Sequence, residues 1–354
     1  MGLVDEHLPG AKCPMNAGII DVAVYLPPGV LTNETLVQDL GKWTAKEIHD
    51  KIGIDQRHVA TADQYTSDLA VAAAEALLAR YQSTLREKID LLIICTQTPD
   101  YTLPTTACMV QHRLHLGTNV AAFDVNLGCS GFVYALSVAR SMIATGDAKL
   151  ALICCADTYC KWIGEHDATT RPIFGDGAAA ILVGALKKDI PGIGRFVFGT
   201  DGSGWDKLIV RNSGGHAALN GSAEQNEDRH LYMNGPEIFR FTTVAVKSAI
   251  NKLLSELQCE KDDFQWVILH QASGFILKQL IQNCGLDAKR TPILLQNTGN
   301  IVSASIPLVL TSLMEGQNLR PGDRLMLVGF GVGYSWACCD VVWQPHFNFD
   351  VFKT

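Results

Sequence analysis

Three residues have the types and neighbours that suit them to chemistry: Cys129, His270 and Asn300. Cys129 sits in Asn126-Leu127-Gly128-Cys129-Ser130-Gly131-Phe132, directly before the apolar helical pattern of residues 133–143. A thiol at the first turn of a buried helix meets free backbone N–H groups and the positive end of the helix dipole. Both stabilise a thiolate, so the expected result is a lowered thiol pKa and a competent nucleophile. An arbitrary cysteine is more often a small core hydrophobe, but the glycine-flanked turn favours the reactive reading. His270 and Asn300 each close a strand pattern at a polar interruption, Leu269-His270-Gln271-Ala272 and Asn297-Thr298-Gly299-Asn300. A lone histidine is usually a satisfied structural group. Paired with a carboxamide, however, a neutral imidazole can donate a hydrogen bond to an enolate oxygen without bringing a fixed charge, which suits carbanion chemistry.

Other polar groups carry weaker signals. His112, His115, His166, His216 and His230 have no acidic or cysteine partner at metal-ligand spacing, and Cys154, Cys155 and Cys160 fail the same test, so no metal is expected. No Walker loop and no G-x-G-x-x-G fingerprint follows a strand, so the glycine-rich turns read as tight corners. Asp201-Gly202-Ser203-Gly204 reads as a turn.

The elements that must position these residues come from an internal repeat. Residues 66–78 (TSDLAVAAAEALL) and 242–254 (TTVAVKSAINKLL) are helical patterns, each followed by an apolar strand, 89–95 and 264–270. Next, in both halves, come a short strand, a turn and a long apolar helix, beginning at Ala122 and at Pro292. A second strand follows, 149–155 and 323–329, and each half closes on a glycine-rich turn and one more strand, 179–183 and 337–343. Helices alternating with continuous apolar strands predict parallel sheets buried on both faces. Cys129 and Asn300 fall in equivalent strand-to-helix turns, and His270 ends the strand matching 89–95. Pseudo-twofold packing of the halves would gather all three at the carboxyl ends of strands. The junction is expected at 187–194, giving an N-terminal half at 1–187 with the cysteine and a C-terminal half at 188–354 with the histidine and asparagine.

Composition excludes several classes. The 354-residue chain has 29 Lys and Arg against 36 Asp and Glu, a formal net charge of −7, and no basic cluster, so no nucleic-acid partner is expected. Its apolar runs are shorter than the roughly 20 residues that span a bilayer, so no membrane partner is expected either. Residues 1–16 carry Asp5 and Glu6 in place of a basic stretch and apolar run, which does not read as a secretory signal. Eleven cysteines, most inside apolar runs, fit a reducing compartment and a cytoplasmic enzyme.

With these residues placed, the chain resembles the β-ketoacyl-acyl-carrier-protein synthase III family, from about residue 18 to residue 343. The resemblance is carried by Asp124-Val125-Asn126 through Cys129-Ser130-Gly131-Phe132, Phe174-Gly175-Asp176-Gly177-Ala178-Ala179-Ala180, Leu269-His270-Gln271-Ala272, Gly299-Asn300 with Ser303-Ala304-Ser305-Ile306-Pro307, and residues 329–336. It implies a thiolase-like α/β fold in five α-β-α-β-α layers. It also implies an acyltransferase in which Cys129 takes an acyl group from acyl-CoA, and a malonyl thioester, on acyl carrier protein or CoA, then undergoes decarboxylative Claisen condensation to a β-ketoacyl thioester. His270 and Asn300 would stabilise the enolate, and backbone N–H groups of Cys129 and Val332 would form the oxyanion hole. Arg171 and Lys51 would contact CoA, and a gate residue near Leu103 would come from the partner of a homodimer. No cofactor beyond the substrates is implied.

The sequence departs from the housekeeping pattern in places. Ser273-Gly274-Phe275 follow the histidine motif where the family commonly has asparagine and then an arginine that meets the carrier protein, Val332 replaces a glycine, and Trp43 lies further back than the CoA-stacking tryptophan. These changes point toward a specialised lipid or secondary-metabolite pathway. Acyl transfer to an oxygen or nitrogen nucleophile without condensation, or a non-catalytic partner subunit of a synthase heterodimer, are the alternatives. The second would be expected to have lost one of the three residues, and all three are present.

Overall fold

The computed structural model describes residues 15–220 and 226–345. The acidic N-terminal stretch with Asp5 and Glu6, and the outer ends of both expected halves, lie outside the described residues.

The apolar runs form strands wholly enclosed by protein. Leu91–Cys95 and Leu150–Asp157 are buried at every position, as expected for strands covered on both faces. Together with Asn16–Tyr25, Gly177–Leu186 and Ala121–Val125 they make a five-stranded sheet. The order, by starting residue, is 16, 177, 150, 91, 121. A second sheet has four strands, Trp266–Leu269, Arg324–Gly331, Ser335–Val342 and Ile193–Thr200, in that order. All strands of the first sheet precede Lys187, and all strands of the second follow Gly192.

Side-chain alternation sorts each strand between two cores. Leu91, Ile93 and Cys95 of the first sheet, and Leu325, Leu327 and Ala337 of the second, meet in a central core. That core is filled by one face of helix Gly131–Thr145 (Phe132, Leu136, Ala139) and one of helix Ser305–Glu315 (Ile306, Val309, Leu310). Leu92 and Ile94 point the other way, onto helices Thr66–Leu78 and Thr106–Arg113. Met326 and Val328 likewise face helices Gly235–Leu257 and Gly274–Cys284. The result is five layers, α-β-α-β-α, with two equivalent helices sandwiched between the sheets. Burial of a large aliphatic side chain contributes about 1.5–3 kcal/mol, and the central layer is the part of the chain that depends most on it.

Two expectations are corrected. The sheets are mixed, because Gly177–Leu186 runs antiparallel to both neighbours and Ser335–Val342 runs antiparallel to both of its own. In the second sheet Gly331 pairs directly with Ser335; so short a connection can only reverse the chain, whereas a parallel neighbour needs a long crossover. Second, the short strand expected at the start of the 292–316 repeat does not form. Pro292 has no N–H to give a ladder, and the Gln271 side chain takes the ladder's place. Its Oε1 accepts from Leu294 N at 2.8 Å, and its Nε2 donates to Leu269 O at 2.8 Å and Pro292 O at 3.3 Å.

Candidate active site

Cys129 lies one residue before Ser130, the N-cap of the inner helix Gly131–Thr145. A side chain at 131 is excluded because a Cβ there would stand 2.2 Å from Cys95 Sγ. Asn300 is reached from the other half through Gly299, whose φ of +70° favours glycine. Its backbone bridges to the 173–175 segment, with Asn300 N donating to Ile173 O and Gly175 N donating to Asn300 O. His270 follows strand Trp266–Leu269 and is anchored by its N–H to Val328 O at 2.8 Å. Cys129, His270 and Asn300 line one cavity of about 420 Å³, with Phe330, Gly331 and Val332 on the same wall. The three side chains that the repeat was expected to gather thus line the same cavity.

The His270 imidazole is buried, and Phe330 packs edge-on against it with ring centroids 5.3 Å apart. Burial pushes its pKa down to about 3, with a backbone group of Val302 acting weakly the other way, so the ring is neutral at physiological pH. Which nitrogen carries the proton follows from Ser305, the first residue of the second inner helix. Ser305 Oγ is 2.7 Å from His270 Nδ1 and also accepts from Gln271 N at 3.3 Å. Among the described hydrogen bonds, Nδ1 is the acceptor available to the Ser305 hydroxyl proton, which leaves the ring proton on Nε2. Nε2 lies 3.5 Å from Asn300 Nδ2. The carboxamide is fixed the right way round because its Oδ1 accepts from Val302 N at 2.9 Å. With the ring proton on Nε2 the two nitrogens face each other as donors, Asn300 Nδ2 also donating to Ala272 O at 3.4 Å. An oxygen placed between them would accept from both.

The thiol behaves differently from the sequence-based expectation. Cys129 is buried, and desolvation, the largest influence, raises its pKa; the nearby Asp157 carboxylate raises it further, and its own backbone N–H opposes this weakly. Burial dominates because taking a thiolate out of water is costly. Asp157 is buried too, and burial raises its pKa to about 7 against the hydrogen bonds it accepts from Gln97 N and Ser303 Oγ. Gly331 packs directly on the nucleophile: a Cβ there would lie 2.7 Å from Cys129 Cβ and 3.1 Å from its Sγ. The segment 331–332 is thereby held against the sulfur.

The remaining expected residues scatter. Lys51 lines the cavity, and its Nζ lies 3.7 Å from the centroid of the Trp43 ring, which is not itself part of the lining. Arg171 does not line the cavity. It is ion-paired with Asp39 at 2.9 Å and donates to Glu165 O. Leu103 is 81% exposed and does not line this cavity. Its loop is tied to the edge strand Ala121–Val125, since the Asp124 carboxylate accepts from Thr106 N and Ala107 N. Among the described residues no group of three His, Cys, Asp or Glu could hold a metal, and no helix is long and apolar enough to cross a membrane. Sequence reasoning missed Ser305, Gln271 and Asp157; the motif segments contained the first two, but nothing in their spacing marked which hydroxyl or amide would turn inward.

Residues 123–202 match the family model described as 3-oxoacyl-(acyl-carrier-protein) synthase III, and residues 254–343 match its C-terminal counterpart. A beta-ketoacyl-(acyl-carrier-protein) synthase III from Clostridium perfringens (strain SM101 / Type A) is 36% identical over 322 residues, covering 91% of this chain and 98% of that protein. A crystal structure of a 3-oxoacyl-(acyl-carrier-protein) synthase III superposes with a TM-score of 0.87 at 42% identity, covering 93% of this chain and all of the other. The priming β-ketosynthase of the R1128 polyketide biosynthetic pathway superposes at 0.85 with 27% identity, covering 95% of this chain and 99% of that one. The chain therefore belongs to the 3-oxoacyl-(acyl-carrier-protein) synthase III family, condensing acyltransferases of the thiolase fold.

Proposed function

We propose that Cys129 is the acyl-carrying nucleophile and that His270 and Asn300 together stabilise the enolate of the incoming extender. The observation that carries this is the placement of His270 Nε2 and Asn300 Nδ2 3.5 Å apart, with Ser305 Oγ against His270 Nδ1 and Val302 N bonded to Asn300 Oδ1. In the first half-reaction Cys129 Sγ attacks the thioester carbonyl of an acyl-CoA. A new S–C bond forms, the C–S bond to CoA breaks, and the thiol proton leaves with the CoA sulfur. N–H groups of Cys129 and Val332, two residues of the cavity wall, would hold the oxyanion, a role worth about 2.7–4 kcal/mol per donor in comparable sites.

In the second half-reaction a malonyl thioester loses carbon dioxide. The electron pair of the broken C–C bond passes into an enolate whose oxygen lies between Nε2–H and Nδ2–H. The enolate carbon then attacks the acyl-Cys carbonyl, and the Cys129 sulfur leaves to give a β-ketoacyl thioester. A neutral imidazole suits this step because it donates without titrating at working pH.

Lys51, a cation in the cavity wall, supports a phosphate-bearing donor such as CoA. Arg171 would first have to release Asp39. An exposed Leu103 beside a sheet-edge strand supports a homodimer in which this loop closes the partner's site. We read residues 1–187 as the nucleophile half and 188–354 as the donor half, because each sheet is drawn from one of them. The ten described cysteines are all free, which supports a reducing, cytoplasmic setting. Acyl carrier protein as extender carrier rests on the family resemblance. Feeding acyl-CoA with malonyl-carrier protein, or with malonyl-CoA, and following β-ketoacyl thioester and carbon dioxide tests the reading. Equal release of both is expected, whereas transfer of the acyl group without carbon dioxide would mean that the donor pair serves another reaction.

A further inference from the structure

Beside the main cavity lies a second one of about 150 Å³, lined by Gln97, Asn126, Tyr159, Trp162 and Leu231 among others. Leu208 and Val332 line both spaces. The partition between them is completed by two aromatic rings: Phe174 faces the main cavity, and Tyr159, its centroid 5.0 Å away, faces the second. Tyr159 is buried in the same apolar cluster as Cys129. Its hydroxyl donates to Gln97 Oε1 at 2.5 Å, and Gln97 Oε1 in turn lies 2.2 Å from where a Cβ on Gly128, the residue before the nucleophile, would be. A ring held by a tilted aromatic contact on one side and a hydrogen bond to a side chain seated on the nucleophile loop on the other has little freedom to swing aside.

We propose that Tyr159 is the chain-length stop for the acyl group on Cys129, so that the donor is a short acyl thioester whose chain ends on the near side of this partition. The inference rests on the acyl-enzyme reading above. A longer chain would have to displace the Tyr159 ring and break its bond to Gln97, or share the main cavity with the arm that delivers the substrate. Replacing the ring by a smaller apolar side chain joins the two cavities and gives a longer chain a path. Since one methylene in a fitted pocket changes selectivity about 10–200-fold, the change in preference should be large.

The test is intact-protein mass after competition among equimolar acetyl-, butyryl-, hexanoyl- and octanoyl-CoA, with the protein as it stands and with Tyr159→Leu, Tyr159→Ala and Tyr159→Phe. The unaltered protein should load the shorter chains, Tyr159→Phe should keep that profile because the ring remains, and Tyr159→Leu and Tyr159→Ala should raise the octanoyl-to-acetyl ratio about tenfold or more. Octanoyl loading equal to acetyl loading in the unaltered protein overturns the proposal. So does an unchanged profile in Tyr159→Leu that still loads acetyl groups; the leucine variant decides should the alanine variant fail to fold. Absence of any Cys129 adduct in the unaltered protein would instead count against the acyl-enzyme reading itself.

Discussion

Ser305 Oγ stands 2.7 Å from His270 Nδ1 while accepting from Gln271 N, and this arrangement decides which face of the imidazole can donate. Ser305→Ala should therefore impair the extender half-reaction and spare the acyl transfer to Cys129. Leaving a buried ring nitrogen without its partner costs about 1–3 kcal/mol, so decarboxylation should slow by roughly 5- to 150-fold. Ser305→Thr, which keeps a hydroxyl, should recover part of the loss. The ¹⁵N shifts of His270 report the tautomer directly, and a purely structural role for Ser305 would leave them at the Nε2–H pattern.

His270 should not titrate across the working range. Its folded pKa, lowered by burial to about 3, lies below the usual 6.5. The unfolded chain thus takes up a proton that the native site excludes, and the associated stability is present above about pH 6.5 and lost as pH falls toward 3. The His270 ring-proton resonance followed by NMR should stay flat from pH 5 to 8. A titration midpoint near 6.5 would mean that the ring is solvated.

Asp157 should govern how hard it is to ionise the nucleophile. Its carboxylate contributes to the raised Cys129 pKa, so Asp157→Asn should move the pH dependence of iodoacetamide alkylation at Cys129 to lower pH. The same variant should flatten part of the stability profile. A carboxyl whose folded pKa is raised to about 7 stabilises the fold below the unfolded value near 3.9, and that contribution is lost as pH rises through 7. Thermal unfolding at pH 5 and pH 8 should accordingly differ less in Asp157→Asn than in the unaltered protein.

Gly331→Ala should retain the fold and lose acylation. The added methyl would meet Cys129 Cβ at 2.7 Å and Sγ at 3.1 Å, and overpacking of this kind costs about 1–3 kcal/mol of stability. Displacing the adjoining oxyanion segment by even part of an ångström should slow thioester formation by about 10²-fold, measured by single-turnover loading from acyl-CoA, with circular dichroism as the control for folding.

Much of this layout was legible in the chain. Helix Thr66–Leu78 begins and ends where its apolar period does, and the repeat placed Cys129 and Asn300 in matching turns because equivalent strand-to-helix corners leave equivalent traces of glycine and apolar residues. What escaped depends on three-dimensional surroundings. The Cys129 pKa moved opposite to expectation because it depends on segments far away in sequence: Gly331 packs on the thiol, and the Asp157 carboxylate adds its charge. The fifth strand of the second sheet failed because a side chain, Gln271, can replace backbone partners, and hydrophobic period does not record that. Tyr159 follows a buried strand and reads as ordinary core until its contacts with Gln97 and Phe174 are seen.

The most direct test of the central claim is an intact-mass time course with an acyl-CoA, then a malonyl donor, on the unaltered protein, Cys129→Ala and His270→Ala. The unaltered protein should carry an acyl adduct that the malonyl donor discharges, Cys129→Ala should carry none, and His270→Ala should carry an adduct that persists after the malonyl donor is added. An adduct on Cys129→Ala, or discharge from His270→Ala at the unaltered rate, would contradict the claim.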